Sequence, residues 1–179
     1  MVTTHVFIAV SLDGYIARQD DDIDWLLQRD DPTEDHGYAA FIADKDWIVM
    51  GRGSYEKALT FDQWPYDRPV LVLSRQLTAT AVPEALKDKV QFSSRTPGEV
   101  LADLTVQNAH RVYIDGGKVI QSFLREGLVA DIALLEAAHD GVERLQGARH
   151  LQADQILADP LQGGGGELES DTHARVSRA

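Results

Sequence analysis

Six short runs of β-branched and apolar residues punctuate the first 135 residues, and most are separated by a single stretch with helical spacing. This alternation constrains the chain more than any other feature. A strand that feeds one helix and returns as a neighbouring strand makes a right-handed crossover, and repeated crossovers build a parallel sheet with helices on its faces. The runs lie at residues 2–10, 47–50, 70–73, 111–114 and 128–135, with a weaker one at 90–92. Tyr38, Phe41 and Ile42 space like one face of a short helix, and residues 55–59 suggest another. Thr96-Pro97-Gly98-Glu99 is a helix start, with threonine as cap, proline in the first turn and glutamate three residues on. That helix is expected to bury Val100, Leu101, Leu104 and Val106, and the next, over residues 118–125, Val119, Ile120, Phe123 and Leu124. Residues 152–161 suit one more helix, within a single domain over 1–162. The glycine run and polar residues of 163–179 read as a flexible tail.

Composition narrows the function. A net charge of −12 argues against general nucleic-acid binding, which needs a basic footprint. It also means that any anionic ligand must be met by deliberately placed basic residues. No stretch approaches the eighteen or more apolar residues of a membrane helix, and the first apolar run has no basic region before it. With no cysteine, disulfides and thiolate metal sites are excluded, which suits a reducing cytoplasm.

Three segments follow strand ends, where open α/β sheets bind ligands. Gly51-Arg52-Gly53-Ser54 offers backbone access, a guanidinium and a hydroxyl able to cap the following helix, all suited to phosphate. A tight turn with a solvated arginine would look the same. Leu73-Ser74-Arg75 repeats the pairing of hydroxyl and guanidinium. Asp115-Gly116-Gly117-Lys118 suits a pyrophosphate, although it is neither the GxGxxG fingerprint nor a P-loop. Ser11, Asp13 and a histidine could be drawn as a triad, but no G-x-S-x-G elbow supports it. His36, His110, His139, His150 and His173 lack metal-ligand spacing, so a surface role is expected and no metal. Asp20, Asp21 and Asp22 lack calcium-loop spacing and suit a solvated loop. Trp25 and Trp64 fit either a core or a pocket wall.

The joint order of five segments carries an identification. Phe7-Ile-Ala-Val-Ser-Leu-Asp-Gly-Tyr-Ile-Ala17, Val49-Met-Gly-Arg-Gly-Ser-Tyr-Glu56, Val72-Leu-Ser-Arg75, Val112-Tyr-Ile-Asp-Gly-Gly-Lys118 and Phe123-Leu-Arg-Glu-Gly-Leu-Val129 occur together at suitable intervals. Over residues 2–135 the chain resembles the dihydrofolate reductase superfamily, in the branch of the riboflavin-biosynthesis reductase domain and its stand-alone bacterial relatives. The resemblance implies an α/β fold with a mixed, mainly parallel central sheet flanked by helices. It also implies a homodimer, and a hydride passed from NADPH to a small heterocyclic or pyrimidine-type substrate. The backbone at Ala9 and Ile16 would meet the nicotinamide carboxamide. Gly51, Arg52, Gly53 and Ser54 would hold phosphates, and Ser74 and Arg75 the adenosine end with its 2′-phosphate. Gly116, Gly117 and Lys118 would lie against the pyrophosphate, with a cis peptide or a positive φ expected in residues 115–118. Asp24, or a water near Asp13, would supply the proton.

Beyond residue 135 the pattern departs: the proline-containing strand, glycine-rich segment and final hairpin of the family are not recovered. An altered reading frame and genuine divergence are both compatible with that. The alternatives to the reductase are dihydrofolate reduction itself and a catalytically weak nucleotide-binding protein.

Overall fold

The structure is a computed structural model that describes residues 2–11, 16, 35–78 and 82–137. Six strands and four α-helices fall in this range. They are β1 (Thr3–Ser11), α1 (Tyr38–Ile42), β2 (Trp47–Gly51), α2 (Arg52–Ala58), β3 (Val70–Leu73), β4 (Val90–Ser93), α3 (Pro97–Val106), β5 (Arg111–Asp115), α4 (Gly117–Arg125) and β6 (Asp131–Ala137), with a 3₁₀ turn at Glu84–Leu86. The strands form one sheet in the order β4-β3-β2-β5-β1-β6, and every described pairing is parallel. All strand C-terminal ends therefore lie along one edge, the edge at which such sheets bind ligands.

The strands read as continuous apolar runs because both faces of the sheet are covered. On one face Val6, Val10, Val49, Val112 and Ile114 pack with Val100 and Leu104 of α3 and Val119, Ile120 and Phe123 of α4. On the other, Ile48, Met50, Val70, Val72 and Tyr113 pack with Tyr55 of α2, while Phe7, Tyr38, Phe41 and Trp64 close over them. Val106 departs from expectation: it is 83% exposed, because the last residue of α3 has turned past the sheet. The start of α3 is as the sequence suggests. Thr96 accepts from the Glu99 amide, the Glu99 carboxylate accepts from the Thr96 amide, and Pro97 opens the helix.

Charge is concentrated at the opposite edge, below the strand N-termini. His5 is buried and pairs through Nδ1 with Asp131 on β6 at 2.7 Å. Lys45 is buried beside Asp44, donates to the Phe41 carbonyl at 2.8 Å and sits over the Phe41 ring. The Arg111 Nε is 3.0 Å from Asp44 but misaligned, so the contact is ionic without a hydrogen bond. Asp46 accepts from the His110 and Arg111 amides, which holds its carboxyl below the usual range. These contacts fasten α1 and β6 to the centre of the sheet. Of the histidines expected at the surface, His110 is exposed and His36 half-buried, and the sequence did not single out His5.

Residues 138–179, including the expected helix at 152–161 and the tail, lie outside the described residues. No described helix is long and apolar enough to cross a membrane.

Phe123 is fully enclosed between α4 and the sheet, so Phe123→Ala removes a ring and leaves a void. The expected cost is about 3–5 kcal/mol in urea unfolding, against no more than about 0.5 kcal/mol for Val106→Ala. Equal effects would show that this face of the core is wrongly packed.

Candidate functional site

The central feature is an interruption in the sheet. β1 and β5 pair only at Thr3↔Arg111, Thr4↔Val112 and His5↔Tyr113. Beyond that the strands part: β1 continues against β6 to Ser11↔Ala137, and β5 continues against β2 to Met50↔Asp115. Alternate residues of β1 direct their backbone groups to opposite neighbours. The Thr3 amide donates to His110 at the start of β5, whereas the Thr4 carbonyl accepts from Ala130 before β6. The same alternation points the N–H and C=O of Phe7 and Ala9 toward β5, where the sheet no longer supplies partners. The Tyr113 hydroxyl reaches the Phe7 carbonyl at 3.1 Å and closes the base of the gap. Ala9, one step higher, directs its N–H and C=O toward the gap, a donor and acceptor pair that complements a planar carboxamide.

Above the gap β5 turns into α4 through Gly116, which has φ 85 and ψ 130. This is the positive φ expected in residues 115–118, and no described peptide bond is cis. A Cβ on Gly116 would meet the Ser54 Oγ well inside 3 Å, and one on Gly117 would meet the Ile16 Cδ1 equally closely. The glycine pair thus lets α2, α4 and Ile16 converge at the strand ends. Gly51 performs a similar service, since a Cβ there would lie 3.1 Å from Val119 Cγ2.

Ser54 is not a helix cap. The N-cap of α2 is Gly51 in extended conformation, so the helix starts three residues earlier than residue 55 and Ser54 lies within its first turn. Its hydroxyl is instead spent on Asp115. Arg52 stands half-exposed, 3.9 Å from Glu56, too far for a firm ion pair. The Ser74 Oγ accepts from the amides of Gln76 and Leu77, so its lone pairs brace the turn that presents Arg75 at the surface. Beside it, Ser93, Ser94 and Arg95 leave β4 in register with Leu73, and Arg95 is paired with Asp103 at 2.9 Å. The repeat of Ser-Arg after adjacent strands was available in the sequence as the signal for this second arginine. Lys118 is exposed in the first turn of α4. Asp13 and Asp24 lie outside the described residues.

Asp115 was quoted in the glycine motif but given no role of its own. It ends β5 on the same sheet face as Tyr113, directly below Gly116. Its carboxyl accepts from the Tyr113 hydroxyl at 3.0 Å, from Ser54 and from the Gly116 amide. Burial outweighs these donors and lifts the carboxyl above its ordinary value. Burial, reinforced by the neighbouring Asp115 charge, pushes Tyr38 up to about 12, and Tyr66 and Tyr113 further. The phenols are therefore neutral walls at any working pH. A cleft of about 210 Å³ opens between Tyr38 and Ile42 on α1 and the segment Pro65 to Arg68. Trp64 is not in the cleft lining but packs against the core, edge-on to Tyr55 and Tyr66, and its indole N–H has no hydrogen-bond partner among the described residues. No described cluster of three or more histidines and acids could hold a metal ion.

Comparison with known proteins gives the family and the fold. The family model described as the RibD C-terminal domain matches residues 3–137. The chain is 32% identical over 136 residues to the uncharacterized protein YwjB of Bacillus subtilis strain 168, covering 73% of this chain and 74% of that one. A crystal structure of a putative riboflavin biosynthesis protein from Shewanella sp. PV-4 superposes with a TM-score of 0.70 at 38% identity, covering 77% and 78% of the two chains. A diaminohydroxyphosphoribosylaminopyrimidine deaminase/5-amino-6-(5-phosphoribosylamino)uracil reductase from Thermotoga maritima shares the fold, with a TM-score of 0.60 at 14% identity. The likeness covers 89% of this chain and 50% of that larger protein.

The glycine pair yields a direct expectation. Gly117→Ala should displace Ile16 from the strand ends and weaken dinucleotide binding at least about tenfold while the melting temperature barely moves. Gly116→Ala should in addition destabilise the fold by about 1–2 kcal/mol, because alanine resists the positive φ. Unchanged affinity in Gly117→Ala would remove Ile16 and Gly117 from the site.

Proposed function

Because the chain belongs to the RibD C-terminal domain family, we propose that it is a reductase using NADPH on a small heterocyclic substrate of the pyrimidine type. The observation that carries the reading is the gap between β1 and β5, roofed by a glycine pair whose missing side chains let Ser54 and Ile16 close in at the strand ends. In this reading a pyridine dinucleotide lies along the strand ends. The backbone of Ala9, with Ile16 beside it, would take the carboxamide. Gly116, Gly117 and Lys118 would flank the pyrophosphate, with Gly51, Arg52, Gly53 and Ser54 at the neighbouring strand end. Ser74 and Arg75 would meet the adenosine 2′-phosphate at the end of β3. Bound there, the cofactor supplies a hydride at its reduced ring.

The chain's own work is to bind, orient and exclude water. Phe7, Tyr38 and Phe41 form one aromatic cluster, with ring centroids 5.1 to 6.4 Å apart, Trp64 and Tyr66 form another, and Tyr38 and Tyr66 are the rings that line the cleft. Neutral aromatic walls favour a flat heterocycle over a charged aliphatic acid. The similar Shewanella protein is described as a putative riboflavin biosynthesis protein, which supports a substrate akin to 5-amino-6-(5-phosphoribosylamino)uracil. Asp24, or a water near Asp13, would supply the proton.

Arg75 sets the choice of cofactor. A charge-assisted contact to phosphate is worth about one to two decades in affinity. Arg75→Ala should weaken NADPH by that factor and leave NADH nearly unchanged, and the wild-type preference should shrink as salt rises. Equal loss for both cofactors would move Arg75 away from the 2′-phosphate. Turnover against a panel of pyrimidines and dihydrofolate tests the reaction. Dihydrofolate turnover alone would make the chain a dihydrofolate reductase, and cofactor binding without any turnover would make it a nucleotide-binding protein.

A further inference from the structure

The cleft between α1 and the segment Pro65 to Arg68 has walls of unequal rigidity. The segment runs straight into β3: the Pro69 carbonyl accepts from the Ile48 amide at 3.0 Å, and Val70 lies in register with Ile48. The opposite wall, α1, is five residues long, too short to hold its place by its own hydrogen bonds. Tyr38 and Ile42, four residues apart, give α1 its cleft face.

Arg68 joins the two walls. Its Nη2 donates to the carbonyl of Ala43, the residue that closes α1, at 2.9 Å. Asp35 and Lys45 also bind α1, but each lies within four residues of the groups it meets and so folds that segment on itself. Arg68 is twenty-five residues from Ala43 and reaches it from across the cleft. Phe7 and Tyr113 pack on the rings of Tyr38 and Phe41, which seats α1 on the sheet. The arginine fixes the remaining coordinate, the distance between the walls. Its charge also acts on Asp46, whose carboxylate is held by the His110 and Arg111 amides, so the guanidinium is drawn to an acceptor anchored on the sheet. A donor that carries charge makes the stronger kind of hydrogen bond.

The spacing matters at the other end of the cleft. Tyr38 and Tyr66, one on each wall, both feel the charge of Asp115 at the end of β5, so the cleft extends toward the strand ends at which a hydride would arrive. Its volume of about 210 Å³ is below the roughly 300–1,000 Å³ that encloses a drug-sized ligand. That is room for one flat ring and small substituents. The exposed Asp67 beside Arg68 disfavours an anion at the lower end.

We propose that Arg68 is a positioning residue for the substrate: by tying Ala43 to the wall that leads into β3, it holds the cleft to the size of a single ring and so selects single-ring pyrimidines over bicyclic pterins. The inference rests on the reading of this cleft as the substrate site of a reductase.

Calorimetric titration in the presence of NADP⁺ compares three probes: 5,6-diaminouracil with one ring, pterin with two, and orotate, a single ring bearing a carboxylate. Wild type should bind 5,6-diaminouracil at least about tenfold more tightly than pterin. Arg68→Ala should bring the two within about threefold, chiefly by weakening the single ring, and leave NADPH affinity as it was. Arg68→Lys keeps one donor for the Ala43 carbonyl without the planar fork, so its preference should lie between, and it carries the test if the alanine variant does not fold. In turnover, Arg68→Ala should raise KM for a single-ring substrate more than it lowers kcat, a split that a general loss of stability does not give. Ile42→Trp fills the cleft from α1 and should block both uncharged probes while sparing NADPH. Equal binding of the two uncharged probes by wild type, an unchanged preference in Arg68→Ala, or undiminished probe binding by Ile42→Trp overturns the clamp. A loss confined to orotate overturns it too, because Arg68 is then an anion ligand. A preference that responds as expected in a protein without NADPH-dependent turnover leaves the clamp in place and overturns the reductase reading alone.

Discussion

The parting of β1 from β5 is the constraint on which the rest of the structure depends. A sheet gains from pairing every strand along its full length, because an unpaired backbone group out of water costs as much as a lost hydrogen bond. Here two central strands pair for three residues and then separate, although both continue. Each keeps its outer neighbour, β6 for one and β2 for the other, so among the described residues the loss of sheet pairing falls on a few groups of Phe7 and Ala9. One of these, the Phe7 carbonyl, is met by Tyr113. The remainder faces a gap of ligand-sized chemistry: a donor and an acceptor side by side, below a turn with no side chains.

The two edges of the sheet are made differently. At the strand N-termini the fold is tied by buried or half-buried charges, His5 with Asp131, Lys45 with Asp44 and the Phe41 ring, and Asp46 with the start of β5. At the strand C-termini the same chain uses glycine, serine and arginine, and the local order comes from close backbone approach. The segregation has a physical logic. Hydrogen bonds and ionic contacts at the lower edge hold α1 and β6 in place, so that Tyr38 and the β1 backbone are fixed at the upper edge. A net charge of −12 would repel an anionic ligand, and the upper edge answers with arginines at positions 52, 75 and 95. Of these, Arg75 has no described ion-pair partner, Arg52 is loosely held and Arg95 is committed to Asp103.

Much of the fold was legible because parallel strands covered on both faces are written as unbroken apolar runs, and the capping box of α3 is a local signal. The order of the strands was not legible in the same way. Pairing joins residues a hundred apart, and nothing in Phe7-Ile-Ala-Val declares that its partner leaves after His5. Errors at the site have local causes. Ser54 has the composition of a cap, but Gly51 takes the extended conformation first and the hydroxyl turns to Asp115. Asp115 itself reads as a turn residue before two glycines. Its importance comes from Tyr38, Tyr66 and Tyr113, which reach it from three separate parts of the chain. Val106 fits the helical period but falls beyond the sheet, so periodicity alone overestimated the core.

Amide hydrogen exchange resolved at single residues of β1 tests the central claim most directly. Ile8 and Val10 direct their amides at β6, whereas the Ala9 amide faces the gap. In the free protein Ala9 should exchange markedly faster than its two neighbours. Addition of NADPH should slow Ala9 together with Gly116 and Gly117, while Ile8 and Val10 stay as they were. Slow exchange at Ala9 in the free protein, or protection by NADPH confined to residues away from β1 and the glycine pair, would contradict a dinucleotide site in the gap between β1 and β5.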